Sequence, residues 1–147
     1  MAERKSSLII LPDPEPTEAE KIWKKLGGAK ALDGMYLHGN RVLVAKWIRD
    51  KVSKSLYAAH DTQREDSYQG KTGLVLMVGP AAFKDDPANG AFFHGDTVKV
   101  GDWVSYRASD GIDQDFVPTS AMAEKVPCRV LKDVQIVSRV PRPNFFY

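Results

Sequence analysis

Residues 73–79 read GLVLMVG, five consecutive apolar side chains between two glycines. A strand with one wet face alternates apolar and polar positions, so an unbroken run of this kind fits a strand covered on both faces. Other strand-like runs accompany it. RVLVAKWI (41–48) is rich in β-branched and aromatic residues and lies between Gly39-Asn40 and Arg49-Asp50-Lys51. TVKVGDWVSYRA (97–108) places Val98 and Val100 around a Gly101-Asp102 turn, followed by Trp103, Val104 and Tyr106. CRVLKDVQIVSRV (128–140) holds two short apolar runs hinged at Lys132-Asp133. Short strands separated by long polar loops predict an all-β fold, a small barrel or sandwich. With 147 residues, 43% of them hydrophobic, the chain has enough material for one sizeable core, so one domain with extensions is expected.

The extensions have their own signals. PDPEPT (12–17) carries prolines at alternate positions and reads as an extended linker. Thr17 then heads TEAEKIWKKLGG, with Glu20 placed for a capping box and Gly27-Gly28 as a stop. Ala19, Ile22, Trp23 and Leu26 recur at helical spacing, which predicts a short helix laying Trp23 against another element. Residues 1–38 are therefore expected to form an arm and short helix, 39–140 the β-domain, and 141–147 a tail ending in Phe145, Phe146 and Tyr147.

Composition narrows the partners. The net charge of +2 comes from 21 basic and 19 acidic residues spread along the chain, so no cationic face for nucleic acid or a membrane surface is expected. The first residues lack the apolar stretch of a signal peptide, and no segment is long and apolar enough to span a bilayer. Cys128 is the only cysteine, which rules out an intrachain disulfide and zinc sites built on cysteine pairs.

Tests for chemistry return little. Gly70-Lys71-Thr72 resembles the end of a phosphate-binding loop, but the position five before Gly70 is Glu65, and a strand rather than a helix follows. Lys71 and Thr72 read as residues leading into that strand. His38, His60 and His94 are far apart and read as solvated loop histidines, while Cys128 reads as a small buried thiol. KDDPANG (84–90) lacks the spacing of a calcium loop and reads as a turn. Trp47 and Trp103 interrupt apolar runs and are assigned to core or interface. No catalytic residue, metal site or cofactor is expected, and a non-enzymatic role in binding or assembly follows. Trp23, Phe92, Phe93, Phe145, Phe146 and Tyr147 are the candidate exposed contacts; the alternative for the loop and tail aromatics is that they fold back on the sheet.

GNRVLVAKW (39–47), QGKTGLVLMVGP (69–80), VKVGDWVSYR (98–107) and CRVLKDVQIVSRV (128–140) together resemble the GroES-like co-chaperonin family, and the longer second loop resembles its phage-encoded members. The resemblance implies a small irregular β-barrel that forms a homo-oligomeric ring. It also implies pairing of one subunit's first strand, Arg41 to Trp47, with a neighbour's last, Val134 to Val140. Val42, Val44, Trp47, Val134, Ile136 and Val137 become the expected oligomer interface. In a working co-chaperonin the loop after the first strand docks on the chaperonin ring through an aliphatic triplet, for which Leu56, Tyr57 and Ala58 stand here. Lys54-Ser55 replaces the family's paired glycines, and the chain adds an arm, a helix and an aromatic tail. The leading expectation is thus a structural component of a phage virion, a capsid-decorating, stabilising or connector subunit contacting other virion proteins. The alternative is a co-chaperonin in the host cytoplasm that caps a chaperonin ring.

Overall fold

A computed structural model describes residues 17–48, 71–120 and 123–145. Within them lie one helix, α1 (Glu18–Leu26), and six strands: β1 (Arg41–Lys46), β2 (Thr72–Val78), β3 (Trp103–Tyr106), β4 (Ile112–Asp113), β5 (Cys128–Lys132) and β6 (Ile136–Val140). The strands form one sheet in the order β4-β5-β1-β2-β3-β6, with every pairing antiparallel. Short 3-10 turns cover Pro87–Asn89 and Asp133–Gln135. The strand-rich expectation holds, and the two-residue β4 is an element the sequence pattern did not announce.

The helix forms where its caps place it. Thr17 Oγ1 accepts the Glu20 N–H at 3.1 Å and the Glu20 carboxylate accepts the Thr17 N–H at 2.8 Å, so two otherwise orphaned donors are satisfied at once. Gly27 ends the helix in the left-handed region, at φ 113°, where a side chain would be strained. Ile22 and Leu26 are buried and Trp23 is half-buried against the core. The Trp47 indole N–H donates to Glu18 Oε1 at 3.0 Å, which fastens the first turn of the helix to the chain leaving β1. The segment before the sheet is therefore packed into the same core as the sheet.

Both faces of the sheet are covered, as the apolar run in β2 requires. On one face Leu43, Ala45, Leu74, Leu76, Trp103, Cys128 and Val130 pack with Ile22, Leu26 and Leu37. On the other, Val42, Val44, Val75, Val104, Tyr106 and Leu131 pack with Ala82 and Val98. Successive residues of a strand point to opposite faces, so β1 divides as Val42 and Val44 against Leu43 and Ala45. Two bulges adjust this alternation. The β1–β2 register passes from Leu43↔Met77 to Val44↔Val75, skipping Leu76. The β3–β6 register passes from Ser105↔Ser138 to Tyr106↔Ile136, skipping Val137. Each extra residue lets neighbours in one strand serve the required face. Thus Val140 joins the first cluster while Ile136 packs against the second.

The position of β1 corrects one expectation. Arg41 to Lys46 pairs with β2 on one side and β5 on the other, so this strand has no open edge to offer a neighbouring subunit. Val42 and Val44 are fully buried inside the chain's own core, not at an interface. At the far end of the strand, Trp47 is half-buried and its backbone N–H donates to the Thr72 carbonyl at 2.9 Å. The reason is topological: β5 returns along β1 in register from Arg41↔Lys132 to Ala45↔Cys128.

Candidate functional site

The sheet ends at β6. Among the described residues this five-residue strand pairs with β3 alone, which leaves its second edge without a strand partner. Val137, the bulged residue, is 69% exposed, and Val134 in the turn before it is 58% exposed. Ile136 is half-buried and packs against the second of the two core clusters. A bulge twists an edge strand and so disfavours flat, indiscriminate strand addition while leaving a shaped apolar surface. The other terminal strand, β4, is only two residues long, and Ile112 on it is 69% exposed.

Close to Val134 lies the loop between β2 and β3, and the chain builds it firmly. Asp133, only 3% exposed, reaches across from the β5–β6 turn. Its carboxylate accepts the Phe83 N–H at 3.0 Å, the Asn40 side-chain amide at 3.1 Å and the Val134 N–H at 2.7 Å. Asp86 and Ala91 exchange backbone hydrogen bonds across the Pro87–Asn89 turn. Asp85 Oδ1 accepts the N–H groups of Phe93 and His94 at 2.6 and 2.9 Å, and these bonds hold its carboxyl below the usual aspartate value. Phe83 and Phe93 meet edge to face with centroids 5.2 Å apart. The result is an anchored loop that presents Phe92 outward at 58% exposure, with its ring stacked near that of His94. Between this loop, the start of β1 and the β5–β6 turn is an open cleft of about 700 Å³.

The opposite end of the sheet carries a buried ion cluster. Asp113 Oδ1 lies 2.9 Å from both Lys46 Nζ and Arg129 Nε, whose side chains are 3% and 5% exposed. Arg129 also donates to the carbonyls of Ala108 and Asp110 and sits over the Tyr106 ring at 5.6 Å. Partial burial opposes the charge on Asp113, but the hydrogen bonds and charges of Lys46 and Arg129 outweigh it and hold the carboxyl below its ordinary value. Burial likewise drives the Tyr106 phenol well above its ordinary value and pushes the Cys128 thiol up to about 11. Cys128 is thus a neutral, inaccessible thiol and not an activated nucleophile. The cluster acts as a clasp, holding the short edge strand β4 on β1 and β5.

The residues expected to make contacts scatter. Val134, in the turn before β6, and Val137, on β6, are both exposed, and Ile136 between them in the chain is half-buried. Trp23 is half-buried against the core rather than free, and Phe93 is half-buried against Phe83. Phe92 and Phe145 are exposed, at 58% and 43%, and Arg142 stacks over the Phe145 ring at 5.0 Å. His38 and His94 are exposed, in keeping with solvated loop positions. His60, Phe146, Tyr147 and the loop residues Leu56, Tyr57 and Ala58 lie outside the described residues. Sequence pattern missed Asp133 and the Lys46–Asp113–Arg129 cluster; a lysine in an otherwise apolar strand run was the one available signal for the latter. Among the described residues no group of histidine, cysteine or carboxylate side chains is arranged to hold a metal ion, and no helix is long and apolar enough to cross a membrane. No protein-family model matches the chain, and no curated protein is significantly similar to it.

Proposed function

We propose that this chain is a non-enzymatic assembly subunit, a GroES-like barrel that self-associates and serves as a structural component of a phage particle, decorating, stabilising or connecting its shell. The observation that carries the assembly part is the end of the sheet at β6, where an edge without a strand partner among the described residues lies beside exposed Val134 and Val137. Apolar side chains gathered at a strand edge are a contact surface waiting for cover. Because β1 is paired on both sides, the neighbour's contribution must come from some segment other than Arg41–Lys46. The anchored Phe92 offers a second, separate contact, suited to a different protein in the same particle.

The phage assignment rests on the resemblance of residues 39–140 to phage-encoded co-chaperonins, combined with the arm, helix and aromatic tail that a ring lid does not need. Recovery of the chain from purified virions at a fixed copy ratio is the expected result. An ATP-dependent complex with the host chaperonin that disappears on Leu56→Asp, together with absence from virions, would replace this reading with the co-chaperonin one.

A further inference from the structure

The turn DPANGA (86–91) in the β2–β3 loop has a chemically reactive pair at its tip. Asn89 and Gly90 are both exposed. Gly90 has no β-carbon to crowd the peptide bond it shares with Asn89, and even a β-carbon built there would meet no atom within 4 Å. A side-chain amide beside so open a peptide bond is set up for attack by the following backbone nitrogen, which closes a five-membered imide ring.

Hydrogen bonds hold both reacting groups in the closed turn. Asn89 Nδ2 donates to Asp86 Oδ2 at 2.7 Å, and the Gly90 N–H donates to the Pro87 carbonyl at 3.2 Å. Ring closure therefore needs the turn to open locally. Hydrogen bonds in a solvated loop open at low free energy, far below that of global unfolding.

We propose that Asn89 is a site of spontaneous deamidation and that its conversion loosens the turn that leads into Phe92. The Gly90 nitrogen gives up its proton to solvent base and bonds to Asn89 Cγ. The Cγ–Nδ2 bond breaks, and the nitrogen takes up a proton and leaves as ammonia. Water then opens the imide, at Cγ to give aspartate or at the Asn89 main-chain carbonyl carbon to give isoaspartate. The sum is water consumed and ammonia released.

Either product puts a carboxylate where Nδ2 now donates, so the 2.7 Å contact with Asp86 becomes a meeting of like charges. Isoaspartate also lengthens the main chain inside the turn across which Asp86 and Ala91 exchange backbone hydrogen bonds of 2.8 and 3.0 Å. That pair is the anchor on the N-terminal side of Phe92, while Asp85 holds the Phe93 and His94 amides on the other. This chemistry is independent of the β6 edge and of any assembly.

The test is to age the full chain, folded, in mildly alkaline buffer and to map its peptides by mass spectrometry. Amide-to-acid conversion is expected at residue 89, in aspartate and isoaspartate forms separable by chromatography, and faster than at Asn40 or Asn144. Asn89→Gln is expected to abolish conversion at this position, because glutamine closes a six-membered ring far more slowly, and Asp86→Ala is expected to speed it by freeing the amide. Amide exchange at Ala91 should be about tenfold faster in aged than in fresh wild type, as for loss of one hydrogen bond, and unchanged in Asn89→Gln aged alongside. Retention of the amide at residue 89 in the folded chain, under conditions where a urea-unfolded sample converts, overturns the site. Conversion with Ala91 exchange unchanged overturns the loosening of the turn.

Discussion

The carboxylate of Asp133 accepts the backbone N–H of Phe83 at 3.0 Å, joining residues 50 apart in the chain. Through that bond the hinge between the last two strands holds a loop residue at φ 63°, a conformation that side chains other than glycine adopt rarely. The same carboxylate serves Asn40 and Val134, so one buried acceptor fixes three segments. Asp133→Ala leaves these donors without their acceptor and is expected to cost about 3 kcal/mol, read as a lower urea midpoint. Asp133→Asn, which keeps one carbonyl oxygen, should cost less. Equal stability of wild type and Asp133→Ala would show that the loop is held by other means.

Asp113 gives the protein an acid-sensitive clasp. Its carboxyl is depressed in the folded state, so the stability it contributes is present above the unfolded-state value of about 4 and is lost as pH falls through the lower folded value. Asp113→Asn removes that contribution at neutral pH and leaves Lys46 and Arg129 buried without their shared carboxylate. Asp113 itself is 48% exposed, so solvent screening reduces the expected loss to about 1–2 kcal/mol. Urea unfolding from pH 7 to pH 3 should show the difference between wild type and variant shrinking toward the acid end. A difference constant across that range would contradict this role.

Gly79 marks a place where backbones meet. A β-carbon there would lie 2.5 Å from the Gly39 carbonyl oxygen and 2.9 Å from that of Arg41. No side-chain rotation relieves a clash with backbone, so Gly79→Ala should push the end of β2 away from β1 at a cost of about 1–3 kcal/mol. The expected readout is a lower unfolding temperature with faster amide exchange at Gly79, whose N–H donates to the Arg41 carbonyl at 2.8 Å.

Cys128 should be silent in the native protein. With the thiol 1% exposed and pushed up to about 11, labelling by a thiol reagent at pH 8 is expected only as fast as the β5 region opens. Rapid stoichiometric labelling without denaturant would place Cys128 at the surface.

These contacts also show which parts of the fold could be read from the chain alone. The helix was legible because Thr17, Glu20 and Gly27 act locally, within a few residues of one another. The strands at 41–46, 72–78 and 103–106 and the hinge at Lys132-Asp133 were legible from apolar runs and their punctuation. Strand order was not. Whether β1 lies at the edge or the middle of the sheet depends on where β5 returns, which no local pattern encodes, and so Val42 and Val44 were expected at an interface and proved to be core. Asp133 and Asp113 carry no local signal of their roles, because Asn40 and Phe83 for the one, and Lys46 and Arg129 for the other, are distant in sequence. Val134 and Val137 have the same apolar character as their buried neighbours, and nothing in that character marks them as exposed.

The central claim is that the β6 end of the sheet is an assembly surface, and sedimentation velocity of wild type beside the Val134→Lys/Val137→Lys variant tests it most directly. Both side chains are exposed, so circular dichroism should show the variant folded. The account predicts a concentration-dependent oligomer for wild type and a monomer for the variant. A wild-type chain that stays monomeric at every concentration, or a variant that assembles as readily as wild type, would contradict it.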